Sequence, residues 1–200
     1  MISYEICSGG ASAVVYLTAF SNVWQCATSL GTSHLALSGD GGKLYTAPNV
    51  EARVLQSTDL GVTWTLVPEV VGGVVLADAT GTILACAQVH VAGYPKTSTD
   101  DGATWTTQAG GTNERVATGA CDSDASVVVL CPLASAYARV SSDSGVTWAN
   151  ATAAGAATWR NVCMSQTGLY IYISTNSGYV WKSADSGATW AQVTAGGSRA

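Results

Sequence analysis

The chain has 200 residues, enough for one domain whose hydrophobic core needs no disulfide or metal to fold. Only 10% of the residues are charged, against roughly a quarter in an ordinary soluble domain, and the net charge is −5. The eight Lys and Arg residues form no cluster, which argues against nucleic acid as a partner. So little charge predicts a neutral, hydroxyl-rich surface or one covered by other subunits in a homo-oligomer or a particle assembly.

The start of the chain carries no targeting signal that we can identify. Residues 1–5 lack the basic start and apolar stretch of a secretory signal. No apolar run in the sequence reaches the length of a membrane span. We therefore expect a protein made in the cytoplasm without a signal peptide.

The first 29 residues form the least regular part of the sequence. Two apolar runs, residues 2–7 and 13–19, are separated by a Gly-containing turn and predict a hairpin. A third apolar run surrounds Trp24. We interpret this segment as an incomplete copy of the units that follow it.

Four more regular units follow, and each is predicted to contain four short strands separated by turn residues. No stretch keeps a helical period of apolar residues for ten positions without a Gly or Pro, so no helix is predicted. The predicted strands are 34–38, 43–47, 53–57 and 62–67; 74–78, 82–89, 94–98 and 103–107; 115–121, 126–133, 137–141 and 146–150; and 159–165, 169–175, 179–183 and 188–193.

Each of these four units contains the pattern Ser-x-Asp-x-Gly-x-Thr-Trp. Its aspartates lie at positions 59, 100, 143 and 185, so successive copies are 41, 43 and 42 residues apart. Asp and Gly suit a tight turn between the third and fourth strands, because Asp accepts hydrogen bonds from turn amides and Gly adopts a positive φ. The Trp is expected to pack over that turn. The structural residues of the four copies are Asp59, Gly61, Trp64, Asp100, Gly102, Trp105, Asp143, Gly145, Trp148, Asp185, Gly187 and Trp190.

Four antiparallel strands repeated about every forty residues are typical of a β-propeller, in which each four-stranded meander is one blade. We predict an all-β chain forming a single five-bladed β-propeller domain. The first blade is irregular, because residues 17–24 stand where the pattern is expected but lack its Asp and Gly. The predicted blades are approximately residues 1–29, 30–69, 70–110, 111–152 and 153–200.

The repeated pattern resembles the Asp-box, or bacterial neuraminidase repeat, of sialidase-like and related propellers. The resemblance covers about residues 30–195. That family includes sialidases, other glycan-processing enzymes, sorting-receptor ectodomains, binding modules and virion-associated proteins. Its box is structural and lies away from the active site, so the resemblance implies a fold and not an activity.

A sialidase of that family would need three arginines for the substrate carboxylate, a Tyr-Glu nucleophile pair, an acid/base Asp and an early Arg-Ile-Pro sequence. None of the five arginines is followed by Ile-Pro, and no other carboxylate pair or nucleophile motif is recognisable. We therefore predict a non-enzymatic binding or structural propeller that recognises glycans or a protein partner, for instance within a phage or viral appendage. The alternative is a minimal, sialidase-like glycan hydrolase with an atypical active site.

Propellers bind ligands at the mouth of the axial channel or between blades. We predict that Cys7, Leu37, Asp78, Cys121 and Cys163 hold matching positions in the five innermost strands; the last four each lie 22 residues before a box aspartate. Three residues before each of these lie Tyr4, His34, Val75, Thr118 and Arg160. Their aromatic, imidazole and guanidinium groups suit a polar ligand, whereas the alternative is that they only line or plug a narrow pore.

A second repeated feature is aromatic. Tyr94, Tyr137 and Tyr179 each lie six residues before a box aspartate. They could offer stacking platforms to sugars or pack between blades. Trp159 and Trp181, which are not repeated, leave the same two alternatives open.

The sequence predicts no cofactor and no metal site. Its six cysteines show no Cys-x-x-Cys spacing, and Cys121 and Cys163 each lie 22 residues before a box aspartate. This spacing predicts equivalent core positions and reduced, packed thiols. Asp122 and Asp124 lie in a Ser-rich hairpin, where turn formation is a simpler explanation than a cation loop.

Overall fold

The computed structural model describes residues 14–15, 26–27, 32–48, 53–71, 73–81, 84–87, 93–111, 113–134 and 136–194, so Tyr4 and most of the predicted first hairpin lie outside the described residues. Within those ranges the chain is all-β, with one 3₁₀ turn at Thr152–Ala154 and no α-helix. The strands are β1 (Val14–Val15), β2 (Cys26–Ala27), β3 (Thr32–Leu37), β4 (Leu44–Pro48), β5 (Arg53–Ser57), β6 (Thr65–Val71), β7 (Val74–Ala77), β8 (Leu84–Ala87), β9 (Lys96–Ser98), β10 (Thr106–Thr107), β11 (Val116–Cys121), β12 (Val128–Pro132), β13 (Arg139–Ser141), β14 (Ala149–Asn150), β15 (Trp159–Met164), β16 (Ile171–Thr175), β17 (Val180–Ser183) and β18 (Ala191–Gln192).

The strands from β3 onward form four antiparallel sheets of four strands, each a meander in chain order. We number these sheets blades 2 to 5: β3–β6 form blade 2, β7–β10 blade 3, β11–β14 blade 4 and β15–β18 blade 5. β1 and β2 pair with each other, antiparallel. The prediction of an all-β chain built from four-stranded antiparallel units is confirmed, whereas the predicted blade boundaries stay a prediction.

The burial of the strands follows from the stacking of the sheets. In β16, Ile171 and Ile173 are buried while Tyr172 between them is exposed, which is the period of two expected for a strand with one covered face. Every residue of β12 is buried, because blade 4 has a neighbouring blade on both of its faces. A continuous apolar run thus marks a blade covered on both sides.

The hydrophobic core lies between successive blades. Burying one large aliphatic side chain at these junctions contributes about 1.5–3 kcal/mol. Representative residues are Tyr45 and Val75 between blades 2 and 3, Leu76 and Leu130 between blades 3 and 4, and Val129 and Ile173 between blades 4 and 5.

Backbone hydrogen bonds also join the blades, at the turns between their first and second strands. The Gly39 amide donates to the Ala79 carbonyl at 2.5 Å, the Ala79 amide to Ser123 at 2.7 Å, and the Ser123 amide to Gln166 at 2.9 Å. The four residues share no side-chain chemistry. This contact therefore depends on the backbone alone and could not be predicted from the residue types.

The box is a hydrogen-bonded turn. Ser57 Oγ donates to Asp59 Oδ1 and accepts from the Gly61 amide, each at 2.8 Å. Asp59 accepts from the Thr63 amide at 2.8 Å and the Thr63 hydroxyl at 2.6 Å, and the Trp64 indole donates to the Gly61 carbonyl at 3.1 Å. The same five bonds recur in the boxes of blades 3, 4 and 5.

The residue before the box glycine also has a positive φ. Leu60 has φ 59° and Gly61 has φ 87°, the φ values of a type I′ turn, and the Val62 amide donates to the Asp59 carbonyl at 3.3 Å. Because the turn uses these residues, the fourth strand of blade 2 begins at Thr65 rather than at Val62 as predicted.

Pairing register aligns the blades more accurately than residue counting does. In each blade, the box serine and the last residue of the first strand pair with the same residue of the second strand, so the three lie in one row across the sheet. The last residues of the first strands in blades 2 to 5 are Leu37, Ala77, Cys121 and Met164. The predicted positions Asp78 and Cys163 are wrong by one residue. The cause is the loop between the second and third strands, which is one residue longer in blade 3 and one shorter in blade 5 than in the other two.

Because of this slip, Cys121 and Cys163 are not equivalent. A shift of one residue turns a side chain to the other face of its sheet. Cys121 is half-buried and Cys163 is exposed, while Cys131 is fully buried, and all three are free thiols. Burial raises the pKa of Cys121 and of Cys131 to about 12, so both thiols stay protonated and inert.

Candidate functional site

The two ends of the blades differ in chemistry. The box turns and the first hairpin turns share one end, which we term the box end, because the box serine lies in the same row as the last residue of the first strand. The first and third strands begin at the opposite end, termed the loop end. The predicted ligand-binding and stacking residues among those described gather there: His34, Thr118, Arg160, Tyr94, Tyr137, Tyr179, Trp159 and Trp181.

The innermost strands place four residues in equivalent positions near the loop end. Register gives His34, Val74, Thr118 and Asn161, whereas residue counting predicts Val75 and Arg160 for blades 3 and 5. The slip described above explains both errors. Arg160 is exposed, and its Nε donates to Asn176 Oδ1 at 2.8 Å, so it still contributes a cation to this end.

Of these four residues, only His34 has a buried side-chain atom without a hydrogen-bond partner. That atom is Nδ1. Burial lowers the pKa of His34, and a hydrogen bond with the backbone of Gly73 opposes that change in part. The imidazole is therefore neutral at neutral pH.

The repeated tyrosines have accessible rings. Tyr94, Tyr137 and Tyr179 are 41%, 37% and 56% exposed. Trp159, in contrast, is 1% exposed, and its indole donates to the Ala136 carbonyl at 2.8 Å. Its ring has no free face for a sugar, which corrects the prediction of a stacking role there. Trp181 packs partly buried against the same core.

An ion pair at the loop end was not found from the sequence. Arg139 Nη2 lies 2.7 Å from Glu114 Oε1, and Arg139 Nη1 donates to Asn150 Oδ1. Glu114 is bridged to Gly93, so the pair lies where blades 3 and 4 meet. The partners are 25 residues apart in the sequence, and no spacing or motif relates them.

Two atoms of this ion pair are left without partners. Glu114 Oε2 and Arg139 Nε are both buried and make no hydrogen bond. An unmade bond of this kind is costly, and both atoms are buried from solvent. Tyr94, which is 41% exposed, is the residue directly after the bridged Gly93. Exposed aromatic rings and polar groups at one end of the blades suit a sugar, which has hydroxyls and an apolar face.

The carboxylates of the first hairpin turn at the box end have turn-forming roles. Asp122 accepts from the Val127 amide at 3.0 Å and from the Ser126 hydroxyl at 2.8 Å. In blade 2, the serine that takes this place, Ser38, accepts from the Lys43 amide at 2.9 Å. Asp124 accepts from the Ser126 amide at 3.1 Å. Among the described side chains there is no group of three or more His, Cys, Asp or Glu residues that could hold a metal ion.

No helix in the described ranges is long and apolar enough to cross a membrane.

The fold and site together define a class of protein: an all-β chain of stacked four-stranded blades, with polar and aromatic residues gathered at one end.

Comparison with known proteins extends this description. No protein-family model matches the sequence, and no curated protein matches it. Among solved structures, it is similar to a GH74 enzyme from Niastella koreensis (22% identity, TM-score 0.66) and a GH74 xyloglucanase from Xanthomonas campestris (18% identity, TM-score 0.70). Each match covers 92% of this chain, which spans 28% and 35% of the length of those chains. It is also similar to a chain of a nidogen/laminin complex, with 12% identity and a TM-score of 0.65 over 85% of this chain and 66% of that one.

These likenesses are likenesses of fold, and they change the functional prediction. The prediction of a non-enzymatic binding or structural protein is wrong by this comparison, because glycoside hydrolases stand among the similar structures. The glycan-hydrolase alternative is the better supported of the two. No catalytic motif in the sequence indicated it.

Proposed function

We propose that this chain is a β-propeller unit of a glycan hydrolase that acts on a polysaccharide. The observation that carries the proposal is the agreement in fold, over 92% of the chain, with GH74 structures that include a xyloglucanase. Because the chain spans about a third of those structures, the unit could act as part of a larger enzyme.

The loop end is the proposed substrate-binding surface. Glycoside hydrolysis requires two carboxyl groups on either side of the scissile bond. The aspartates of the box turns and of the first hairpin turns lie at the box end, where Asp59 and Asp122, for example, accept hydrogen bonds from turn residues. Glu114 is the carboxylate among the described side chains that lies at the loop end, and its Oε2 is unpartnered. It is therefore our candidate for a group that holds or protonates the substrate.

A second carboxyl group is needed at the same end. Glu69 lies in β6, near the end of the fourth strand of blade 2. This position belongs to the loop end by its place in the meander. We propose it as the partner carboxylate, with Tyr94, Tyr137 and Tyr179 as stacking platforms for the sugar rings.

The architecture proposed for this unit is a five-bladed ring of the Asp-box type. The support for family membership is the set of five hydrogen bonds that recurs in every described box. The support for a fifth blade is Trp24, which lies 40 residues before Trp64 and so keeps the repeat distance.

The experiment is a measurement of reducing ends released from xyloglucan, other β-linked polysaccharides and sialylated glycans. We expect release from at least one polysaccharide, with loss of activity in Glu114→Gln and in Glu69→Gln. Asp124→Asn is the matched control, because Asp124 is an exposed carboxylate at the box end. The absence of release from every substrate, or equal loss in the control, would overturn the proposal.

A further inference from the structure

The charged residues are divided unevenly between the two ends of the blades. Among the described residues, the box end carries nine aspartates, five in the box turns and four in the first hairpin turns. Its two cations are both lysines, Lys43 and Lys182. The loop end carries five cations and two carboxylates, Glu69 and Glu114. The box end is therefore negative and the loop end positive, although the net charge of the chain is −5.

The five cations of the loop end lie where strands begin. Arg53, Lys96 and Arg139 are the first residues of β5, β9 and β13, which are the third strands of blades 2, 3 and 4. Arg115 directly precedes β11, and Arg160 is the second residue of β15. Each of the four blades thus contributes at least one cation to this end. The sequence spreads these residues along the chain, and the meander brings them to one surface.

Four of the five cations are arginines. An arginine can bind a carboxylate through two parallel hydrogen bonds, which a lysine cannot do. Arg53, Arg115 and Arg160 are exposed. The Arg160 Nε donates to Asn176 Oδ1 at 2.8 Å, which orients the guanidinium and leaves its terminal nitrogens for a ligand. The loop end therefore has the chemistry of a surface that binds carboxylates.

Aromatic rings accompany two of the cations. Tyr94 and Tyr137 are exposed, and they lie two residues before Lys96 and Arg139 respectively. A tyrosine ring can pack on the apolar face of a sugar, while a nearby cation can bind an acidic group on the same polymer. Rings and cations that recur from blade to blade fit a repeating ligand better than a single small anion.

We propose that the loop end binds an acidic polysaccharide, one that carries carboxylates on many of its sugars. The inference names the substrate class of the hydrolase proposed above and rests on that proposal. Nucleic acid fits less well, because it carries a charge at every nucleotide. The loop end has two carboxylates among its cations, and Glu114 already pairs with Arg139 at 2.7 Å. The negative box end repels an acidic polymer, so binding is confined to the loop end.

Binding to immobilised carboxymethyl cellulose tests the inference, with hydroxyethyl cellulose as the neutral polymer on the same backbone. We expect tighter binding to carboxymethyl cellulose, and loss of this preference at an ionic strength of about 1 M, where the Debye length is about 3 Å. Arg53→Gln and Arg160→Gln should each weaken the binding about two- to fivefold, the effect of an exposed ion pair. Lys182→Gln is the matched control, because it removes an exposed positive charge from blade 5 directly before its box. All three side chains are exposed, so the urea midpoints of the variants should match that of the parent chain.

Equal binding of the two celluloses, or an equal loss of binding in Lys182→Gln, would overturn the inference. Tighter binding of single-stranded DNA than of carboxymethyl cellulose would assign the surface to nucleic acid and would overturn it as well. The release of reducing ends separates this inference from the proposed function. Release from xyloglucan with no preference for the acidic polymer in binding would contradict the acidic substrate alone. Selective binding of carboxymethyl cellulose without release from any polysaccharide would contradict the hydrolase alone.

Discussion

The Tyr45 hydroxyl lies 2.6 Å from Asp101 Oδ1, across the junction between blades 2 and 3. The same oxygen lies 2.6 Å from the Gly81 carbonyl and accepts from the Gln56 amide at 3.0 Å. Asp101 is the residue before a box glycine, with φ 62°, and it also pairs with Lys43. The box turn of one blade is thus fixed to the preceding blade by a polar contact, in addition to its own internal bonds.

Removal of the Tyr45 hydroxyl is expected to weaken this junction. Tyr45 is 0% exposed, and burial together with the Asp101 carboxylate raises the pKa of its phenol, so it remains a neutral donor. Tyr45→Phe leaves buried partners without a hydrogen bond and should reduce the free energy of unfolding by about 1–3 kcal/mol. Tyr137→Phe, at a tyrosine 37% exposed, is the control and should change it little. Equal effects in urea unfolding would show that the contact adds no stability.

The blade 5 box turn contacts blade 4 through its glycine. A Cβ on Gly187 would lie 2.7 Å from Val140 Cγ1, and Gly187 has φ 88°. Gly178 has φ 85° but no atom within 4 Å of such a Cβ. Both alanine variants carry the cost of a positive φ, about 1–2 kcal/mol, but Gly187→Ala should lose about 1–3 kcal/mol more through overpacking.

The measurement for this pair is the free energy of unfolding in urea. The double variant Gly187→Ala with Val140→Ala separates the clash from other effects, because the shortened side chain removes the contacting methyl groups. We expect the two changes together to cost less than the sum of their separate costs. If the losses in the free energy of unfolding of the two single variants add up to that of the double variant, the added Cβ does not clash with Val140.

Leu60 in the blade 2 box is predicted to be replaceable with a gain in stability. Its φ of 59° is unfavourable for a side chain of this size, whereas Asn adopts that region readily. Leu60 is 36% exposed, so the loss of buried area is small. Leu60→Asn should raise the free energy of unfolding by up to about 1 kcal/mol. Val62→Asn, two residues later at a 70% exposed position without a positive φ, should give no gain.

The repeat was readable from the sequence because the box is encoded locally. The hydrogen bonds of Asp59, Gly61 and Trp64 are all made within one eight-residue box. The residue types therefore predict the turn, and the distance between copies predicts the length of one blade. The alignment of the first strands with their boxes could not be predicted from the sequence. It depends on the loop between the second and third strands, whose length varies by one residue among the blades. Glu114 and Arg139 could not be paired either, because they meet only when blades 3 and 4 stack.

The same limit applies to the faces of the blades. Alternation in β16 predicts which residues of blade 5 point to each side, but not which side a neighbour covers. Trp159 illustrates this: as an unrepeated aromatic it was a reasonable site candidate, yet stacking of blades 4 and 5 places it in the core. Contacts between blades, rather than within a blade, determine which residues are buried in the core and which remain accessible to a ligand.

Acid is expected to weaken the boxes over a defined pH range. The Thr63 hydroxyl and amide, then the Ser57 hydroxyl, lower the pKa of Asp59 to about 2, and the equivalent groups at Thr104 and Ser98 do the same for Asp100. These pKa values lie below the unfolded value of about 3.9, so the folded state binds fewer protons than the unfolded state. The stabilisation is therefore complete above about pH 4 and is lost as the pH falls through about 2.

Urea midpoints measured between pH 5 and pH 2 test this expectation. Thr63→Val removes the hydroxyl that contributes most to the lowered pKa of Asp59, so the fall of the midpoint with acid should become shallower in that variant. Thr65→Val is the matched control, because the Thr65 hydroxyl donates to the Gln56 carbonyl and not to a carboxylate. Carboxyl carbon shifts followed by NMR should give an Asp59 pKa closer to 4 in Thr63→Val than in the parent chain. An unchanged pH slope and an unchanged Asp59 pKa would mean that the hydroxyl does not hold the carboxylate in its charged form.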